Sequence, residues 1–589
     1  CLTFLRGKKS MQTIIDIIGT ISHFIWGPWT FLLLMGVGIL FTVWSKFIQF
    51  GAMTHGIQVV RGLYDNPDDP GAISHFQALA AALSATVGLG NIGGVALAIG
   101  LGGPGALFWM WIIGILGMAL KTIEVTLALM YRNTDDPENP HGGAMWVIEK
   151  TLGAKGGNSA KLARLLGGFF CVTLIISTMT GGNMFQSWNV AALTEQYFHL
   201  NPLMTSTIMA AMVGMVIIGG IKRIGSVAGK LVPTMVVMYV VAAFSVIAMH
   251  ITEIPGLFAL IIKSAFSPTE AGGAFVGAGV YFAFTVGLKR ALFSNEAGQG
   301  SAPIAHCAAK TEYPAREGVV AGIGPFIDTL LICTLTAMVI LCTNTWDREA
   351  AGKFDGALTI SKSGDSYTPK SAPHISQLPA LNDGGSWNKG DDFYLIAQVP
   401  NNSREDRQSN RVQVYGSVLK NDGSVQGIGA GDLYIAWETL DLNAAEWDSP
   451  PQELKLVDTG VYRKYAGAQL TAHAFDREFP GLGKWLVTLA AWLFALSTMI
   501  SWSYYGEQGV VYLVGNKGIL PYKVLFILLS VVAPLAAGNA AELGALIDFG
   551  TGAMLIANVP IILFMGHLAV KDIKVYFKKL EAGEFKRHR

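Results

Sequence analysis

Three stretches of this sequence put polar or conformationally free residues where an apolar run would not need them. The first reads Val87-Gly88-Leu89-Gly90-Asn91-Ile92-Gly93-Gly94. Glycine is a poor helix former, and backbone released inside an apolar segment must find a partner other than lipid. The run therefore predicts a broken helix. Such a break offers N–H groups to a substrate carboxylate and carbonyls to a small cation, which makes Gly88 and Gly90 candidates for substrate contact. Tight helix packing through small residues is the alternative. Asn91 adds a polar side chain that packing does not require, and is a candidate for the substrate or for a second ion. The second stretch carries Ser497 and Thr498 as adjacent hydroxyls. Hard cations take oxygen ligands, whereas hydroxyls on helices also bond back to the carbonyl four residues earlier. The third places Asn183 and Gln186 one turn apart. Amides inside a span face the bundle interior, either to hold a substrate or as glue between helices.

The elements that position these residues follow from composition. The chain has 589 residues, 51% hydrophobic, with 69 glycines and only 14% charged, against about 25% charged in soluble proteins. An ordinary soluble enzyme is excluded. Lys+Arg 42 balance Asp+Glu 41, so nucleic acid is not an expected partner. The five cysteines (Cys1, Cys171, Cys307, Cys333, Cys342) form no CxxC pair, and no disulfide framework, metal centre or cofactor is expected. Nothing resembles a catalytic triad, a phosphate loop or a metalloprotease motif, so no enzymatic activity is expected.

A spanning helix needs about 20 apolar residues. Roughly eleven segments meet that length: 28–50, 78–101, 103–131, 164–197, 203–220, 230–251, 272–300, 317–343, 482–514, 521–538 and 544–567. Met11–His23 reads as a short interfacial helix, and no cleavable signal peptide is expected. Lys222 and Arg223, Lys310 and Arg316, and Lys571 to Arg587 fall at ends of one parity, which the positive-inside rule makes cytoplasmic. The C-terminus should then lie inside and the N-terminus outside, with Lys8 and Lys9 opposing that reading. The expected parts are an N-terminal extension (1–27), a first membrane part (28–343), an insertion (344–475), a second membrane part (476–570) and a basic cytoplasmic tail (571–589).

The insertion is polar and alternates in Asp392–Val399, Arg411–Leu419, Asp432–Trp437 and Glu453–Val461, with turn clusters at Asp383-Gly384-Gly385 and Asn421-Asp422-Gly423. That pattern predicts a small all-β domain, extracytoplasmic by parity. Asn401-Asn402-Ser403 formally matches a glycosylation acceptor. Within the spans, Lys121 and Glu124 sit at i,i+3 and are expected to neutralise each other. Asp328 has no evident partner. Glu296 reads either as a proton site or as a stabiliser of a helix break, and His306 as a cytoplasmic loop contact.

Val87–Gly94 with Gly102-Gly103-Pro104-Gly105-Ala106-Leu107-Phe108-Trp109-Met110-Trp111 resembles the signature of the alanine/glycine:cation symporter family, also called the sodium:alanine symporter family. Gly219–Gly225, Leu292–His306 and Phe494–Glu507 resemble its other blocks. The resemblance covers about 28–343 and 467–570 and is far more specific than a lone glycine motif. The β insertion departs from it, since the family has a short loop there. The resemblance implies an all-α, leucine-transporter-like fold, two inverted five-helix repeats after one extra helix. It implies that carbonyls near Ser84 and Val87 join Ser497 and Thr498 around one sodium ion. Gln186 would contact the substrate, and Trp502 and Phe293 would cap a small side chain. The function so implied is symport of sodium, or a proton, with alanine or glycine. The protein is expected to be a monomer in the plasma membrane, the inner membrane of a bacterium, with lipid as its surroundings. A membrane receptor whose β domain binds a ligand is the alternative class.

Overall fold

The computed structural model describes residues 18–589 except 23, 137–139, 271, 355–357, 364–365, 372–377, 383, 401–409, 423, 426–427, 443–453, 466, 537–539, 586 and 588–589. Most of Met11–His23, the Asn401–Ser403 acceptor and parts of both turn clusters lie outside these residues. The chain is mostly helical. The helices used below are α1 (Pro28–Trp44), α2 (Ile48–Val60), α3 (His75–Thr86), α4 (Val95–Gly102), α5 (Gly105–Met130), α6 (Gly157–Met179), α7 (Phe185–Phe198), α8 (Pro202–Ile217), α9 (Gly220–Met249), α10 (Val280–Asn295), α11 (Ala302–His306), α12 (Ala468–Glu478), α13 (Gly483–Val514), α14 (Ile519–Ala536) and α15 (Ala540–Glu581).

Among the described residues, seven helical stretches are long and apolar enough to cross a membrane, and counting the bent pairs α1–α2 and α3–α4 as one span each raises this to nine. The expected spans at 203–220 and 272–300 differ for a physical reason. Pro202–Ile217 is a single 16-residue helix, short of the length criterion, and the other segment holds a 16-residue helix that stops at a break. Leu32, Val237, Val241, Leu528 and Phe564 are exposed apolar side chains on the outer helices, as expected where lipid is the solvent. The sequence reading passed over a short apolar helix at Ile254–Phe266. The basic tail is not separate either, because α15 runs through Lys571, Lys574, Lys578 and Lys579 to Glu581.

Strands occupy 352–463. β1 (Gly352–Lys353), β4 (Ala380–Leu381), β5 (Asp392–Gln398), β6 (Arg411–Lys420), β7 (Leu433–Trp437) and β10 (Gly460–Arg463) form a sheet in the order β4-β1-β10-β5-β6-β7, with β9 (Lys455–Leu456) on β5. β2 (Leu358–Ser363), β3 (Ser366–Ser371) and β8 (Leu440–Asp441) form a second sheet. Every pairing among the described strands is antiparallel. The alternation along β5 decides how the sheets sit: successive side chains point to opposite faces. Phe393 and Leu395 enter one apolar cluster with Val418 and Ile435, while Tyr394 and Ile396 pack with Tyr462 on Ala274 and Val276 of the membrane part. The strands stop at Arg463. Residues 468–475, read as the end of the insertion, instead belong to α12, whose Thr471 hydroxyl donates to the Ile92 carbonyl at 3.1 Å.

Candidate functional site

α3 starts at a capping box. The Ser74 hydroxyl accepts the Gln77 N–H at 3.3 Å, and the Gln77 side chain accepts the Ser74 N–H at 3.1 Å. It ends where Val87 turns extended (φ −76°, ψ 93°). A wide π-type turn, Gly90–Gly94, then leads into α4, and the two helix axes are bent by 50°. The predicted break is present. Two further π-type turns interrupt spans nearby, at Thr180–Met184 and Phe326–Cys333, and such turns cluster at functional sites.

A second break lies in the 272–300 segment. α10 ends at Asn295, Glu296 takes a left-handed conformation (φ 55°), and Gly298 and Gly300 follow at φ 81° and 84°, where a side chain would be strained. The loosened backbone is held from two other helices. Lys121 Nζ donates to the Asn295 carbonyl at 2.8 Å. The Glu124 carboxylate accepts the N–H groups of Gly298 (3.1 Å) and Gly300 (2.6 Å). Asn558 donates to Glu124 at 2.6 Å and to the Gly298 carbonyl at 2.9 Å. Lys121 and Glu124 lie within electrostatic reach of each other, as their spacing suggested, but their hydrogen bonds go to the broken backbone and not to each other. Unpartnered backbone inside a span has the greater need.

Between the breaks lies a cavity of about 20 Å³, lined by Ala85, Thr86, Gly88, Gly90, Ser177, Gly181, Gln186, Phe293, Glu296, Gln299, Thr498, Trp502 and Thr551. That is room for roughly one water, so a larger ligand must displace lining side chains. Gly88, Gly90, Gln186, Phe293, Thr498 and Trp502 thus come together at one cavity. Gln186 is buried, its amide N–H donates to the Gly181 carbonyl at 3.0 Å, and its Oε1 has no partner. Thr498 Oγ1 is likewise buried without a partner and lies 2.6 Å from where a Cβ on Gly88 would stand. The Trp502 indole packs on the bare backbone of Gly182, and its N–H donates to the Ala85 carbonyl at 3.3 Å.

The other candidates sit beside the cavity rather than in it. Ser84 Oγ donates to the Ser497 carbonyl at 2.7 Å and Ser497 Oγ to the Ser84 carbonyl at 3.0 Å, which ties α3 to α13. Ser497 and Thr498 do not bond back along their own helix. Val87 closes α3 with its N–H on the Leu83 carbonyl at 2.7 Å. Asn91 turns away into a buried network. Its Oδ1 accepts the Gly88 N–H at 2.8 Å, and its NH2 donates to Ser294 Oγ at 2.9 Å and to the Asp328 carboxylate. Asp328 also accepts from Ser294 at 2.7 Å and Thr329 at 2.9 Å, partners that its own stretch of sequence did not reveal. Asn183 donates to the Phe526 carbonyl of α14 at 2.7 Å, which is the glue role.

Of two further ionisable residues, one keeps its expected place and one does not. Glu296 lines the cavity and accepts from Ser301 Oγ at 2.7 Å across the break. His306 makes no loop contact: it is fully buried, with Nδ1 at 2.5 Å from Glu317, whose other carboxylate oxygen meets His75. Sequence reading missed Gln299, Ser177, Gly181 and Thr551 as lining residues. For Gln299 the signal was present, since it lies within the Leu292–His306 block; Thr551 is one hydroxyl in an apolar helix and carries none.

The model of the sodium:alanine symporter family matches residues 11–374 and 454–589. The chain belongs to that family. The sodium/alanine symporter AgcS of Methanococcus maripaludis is 32% identical over 572 residues, covering 97% of this chain and 99% of that one. The probable sodium/glutamine symporter GlnT of Bacillus subtilis is 39% identical, covering 57% of this chain and 67% of that one. For the putative sodium/proton-dependent alanine carrier protein YrbD of Bacillus subtilis the values are 34%, 59% and 67%. Membership of the symporter family makes the protein a multi-pass membrane carrier that couples a cation to an amino acid. The family model leaves 375–453 unmatched, which lies within the β insertion.

Proposed function

We propose that this chain moves alanine or glycine together with sodium, by alternating access around the cavity between the two breaks. The observation that carries the reading is the pairing of Thr498 Oγ1 and Gln186 Oε1, two buried oxygens without partners that line one small cavity beside Gly88. A buried acceptor without a donor is costly and is relieved when a ligand arrives. Thr498, Ser497 and the carbonyls of Ser84 and Val87 would supply oxygens to the ion at the C-terminal end of α3, where last-turn carbonyls run out of intrahelical donors. Gly88, Gly90 and Gln186 would receive the amino acid, with Asn91 holding the backbone turn and Phe293 and Trp502 limiting side-chain size.

The two broken helices also support the inverted-repeat reading. If 28–50 is the extra span, α3–α4 opens the first set of five and α10–α11 opens the second, and each is broken near its middle. Coupling then has a local cause: ion and substrate both order the backbone at Gly88–Gly94, so each lowers the cost of binding the other. The positive-inside pattern would place the β insertion outside and the end of α15 in the cytoplasm. Alanine uptake into proteoliposomes, measured with sodium replaced at fixed pH, tests the proposal. Uptake should collapse; uptake that persists and follows a pH gradient would make the coupling ion a proton.

A further inference from the structure

A chamber of about 360 Å³ adjoins the candidate cavity on the side that carries the β insertion. Its size falls in the range of about 300–1,000 Å³ found for small-molecule sites. It shares Phe293 and Thr551 with the inner cavity, and Gly467 and Ala468, just past the last strand, also line it. Its walls are apolar except at a few points, among them Lys289, Arg290 and Asp548.

Those charges are not paired with one another. Arg290 Nε is buried without a hydrogen-bond partner, and among the described residues neither Arg290 nor Asp548 makes an ion pair, although each lies within electrostatic reach of the other. Lys289 is accounted for differently, with its ammonium 5.7 Å from the ring centroid of Trp26. The Trp26 indole N–H donates to the Asp548 carbonyl at 2.9 Å, which fixes that turn of α15. A buried guanidinium and a carboxylate that line one apolar chamber without an ion pair between them are expensive unless something bridges them. A free amino acid carries the complementary pair, a carboxylate for Arg290 and an ammonium for Asp548.

We propose that this chamber is a second, staging site for the zwitterionic amino acid, held between Arg290 and Asp548 before it enters the inner cavity. The proposal rests on the transport reading above. The register of the two helices supports it. Arg290 and Phe293 are three residues apart on α10, and Asp548 and Thr551 three apart on α15, so a rise of about 4.5 Å along each helix separates the staging charges from the inner wall. Arg290 also lies against the first break, with its Cδ 3.7 Å from where a Cβ on Gly94 would stand. A ligand that pulls on Arg290 is therefore felt at the backbone the ion must order.

Equilibrium binding of radiolabelled alanine to the purified full chain, with and without sodium, tests the proposal. The unmodified chain should show a sodium-dependent class of sites and a weaker second class. Arg290→Gln and Asp548→Asn, each checked by size exclusion, should keep the first class and weaken the second by about 10–100-fold, the value of a charge-assisted bond. The double exchange Arg290→Asp with Asp548→Arg should recover it. Propionate and ethylamine, each bearing one of the two charges, should compete less well than alanine. A single class of sites in the unmodified chain, a second class untouched by both single variants, or propionate competing as well as alanine overturns the staging site and leaves the transport reading standing. Absence of any alanine binding overturns both.

Discussion

Gly88 has no side chain because Thr498 stands where one would go. Gly88→Ala would put a Cβ 2.6 Å from Thr498 Oγ1, into the space assigned to the ion, so sodium stimulation of alanine uptake should disappear. Adding Thr498→Ala removes the clash, and the double variant should regain thermal stability in detergent without regaining sodium dependence. Recovery of both would detach Thr498 from the ion. Gln186→Ala leaves the empty fold nearly unharmed, because the amide holds only its own Gly181 carbonyl. It should still weaken alanine binding by about 1–3 kcal/mol, read from a binding isotherm. Trp502 packs on Gly182 and fills one wall, so Trp502→Leu should admit valine or leucine in competition assays, where each methylene is worth about 1–3 kcal/mol. Gly88, Gln186 and Thr498 stood out in the sequence because a polar or glycine residue in an apolar span asks for a reason, whereas Trp502 was singled out only through the family resemblance. Asp328 was not legible as a member of a network, because what defines it is its partners Asn91 and Ser294 on other segments of the chain.

At the scale of elements the sequence announced one break and hid the extent of the other. Four glycines within Gly88–Gly94 outweigh helix propensity by themselves. The gap from Glu296 to Ser301 instead depends on α5 and α15, which supply Lys121, Glu124 and Asn558 to backbone groups that lipid cannot satisfy. Periodicity along 272–300 contains no trace of those partners. Glu124→Gln tests the dependence: only one amide oxygen remains for the N–H groups of Gly298 and Gly300, and the new NH2 faces donors. The expected cost is about 1–3 kcal/mol for a buried donor left unpaired, seen as a lower melting temperature in detergent. Excess alanine and sodium should restore part of the loss, since a ligand of the folded form stabilises it. A variant as stable as the parent would mean that the break holds itself.

For the molecule as a whole, the question is whether the β insertion belongs to the transport machinery. Its alternating runs were legible because a half-buried strand repeats every two residues. Its lower boundary was not, since Ala468–Glu478 reads as polar loop until α12 is seen packed on the first break. The cation and inner substrate candidates all lie in the helical body. The insertion meets that body mainly through Tyr394, Ile396 and Tyr462 on Ala274 and Val276. Residues 345–348 belong with the helices: Asp347 accepts the Phe275 N–H at 3.2 Å, and the Arg348 carbonyl accepts from Ala274 at 2.8 Å. A deletion should therefore keep Arg348 and Gly467 and replace residues 350–465 with a short Gly/Ser linker. Loop closure depends only logarithmically on length, so the exchange costs little at the ends. The loss of apolar contact at Ala274 should lower stability modestly. Sodium-driven alanine uptake by the deletion, once size exclusion shows a monodisperse particle, is expected to persist with at most a changed rate. A monodisperse deletion that binds sodium and alanine yet takes up nothing would make the insertion part of the gate above the chamber. One that binds neither would return the receptor reading to contention.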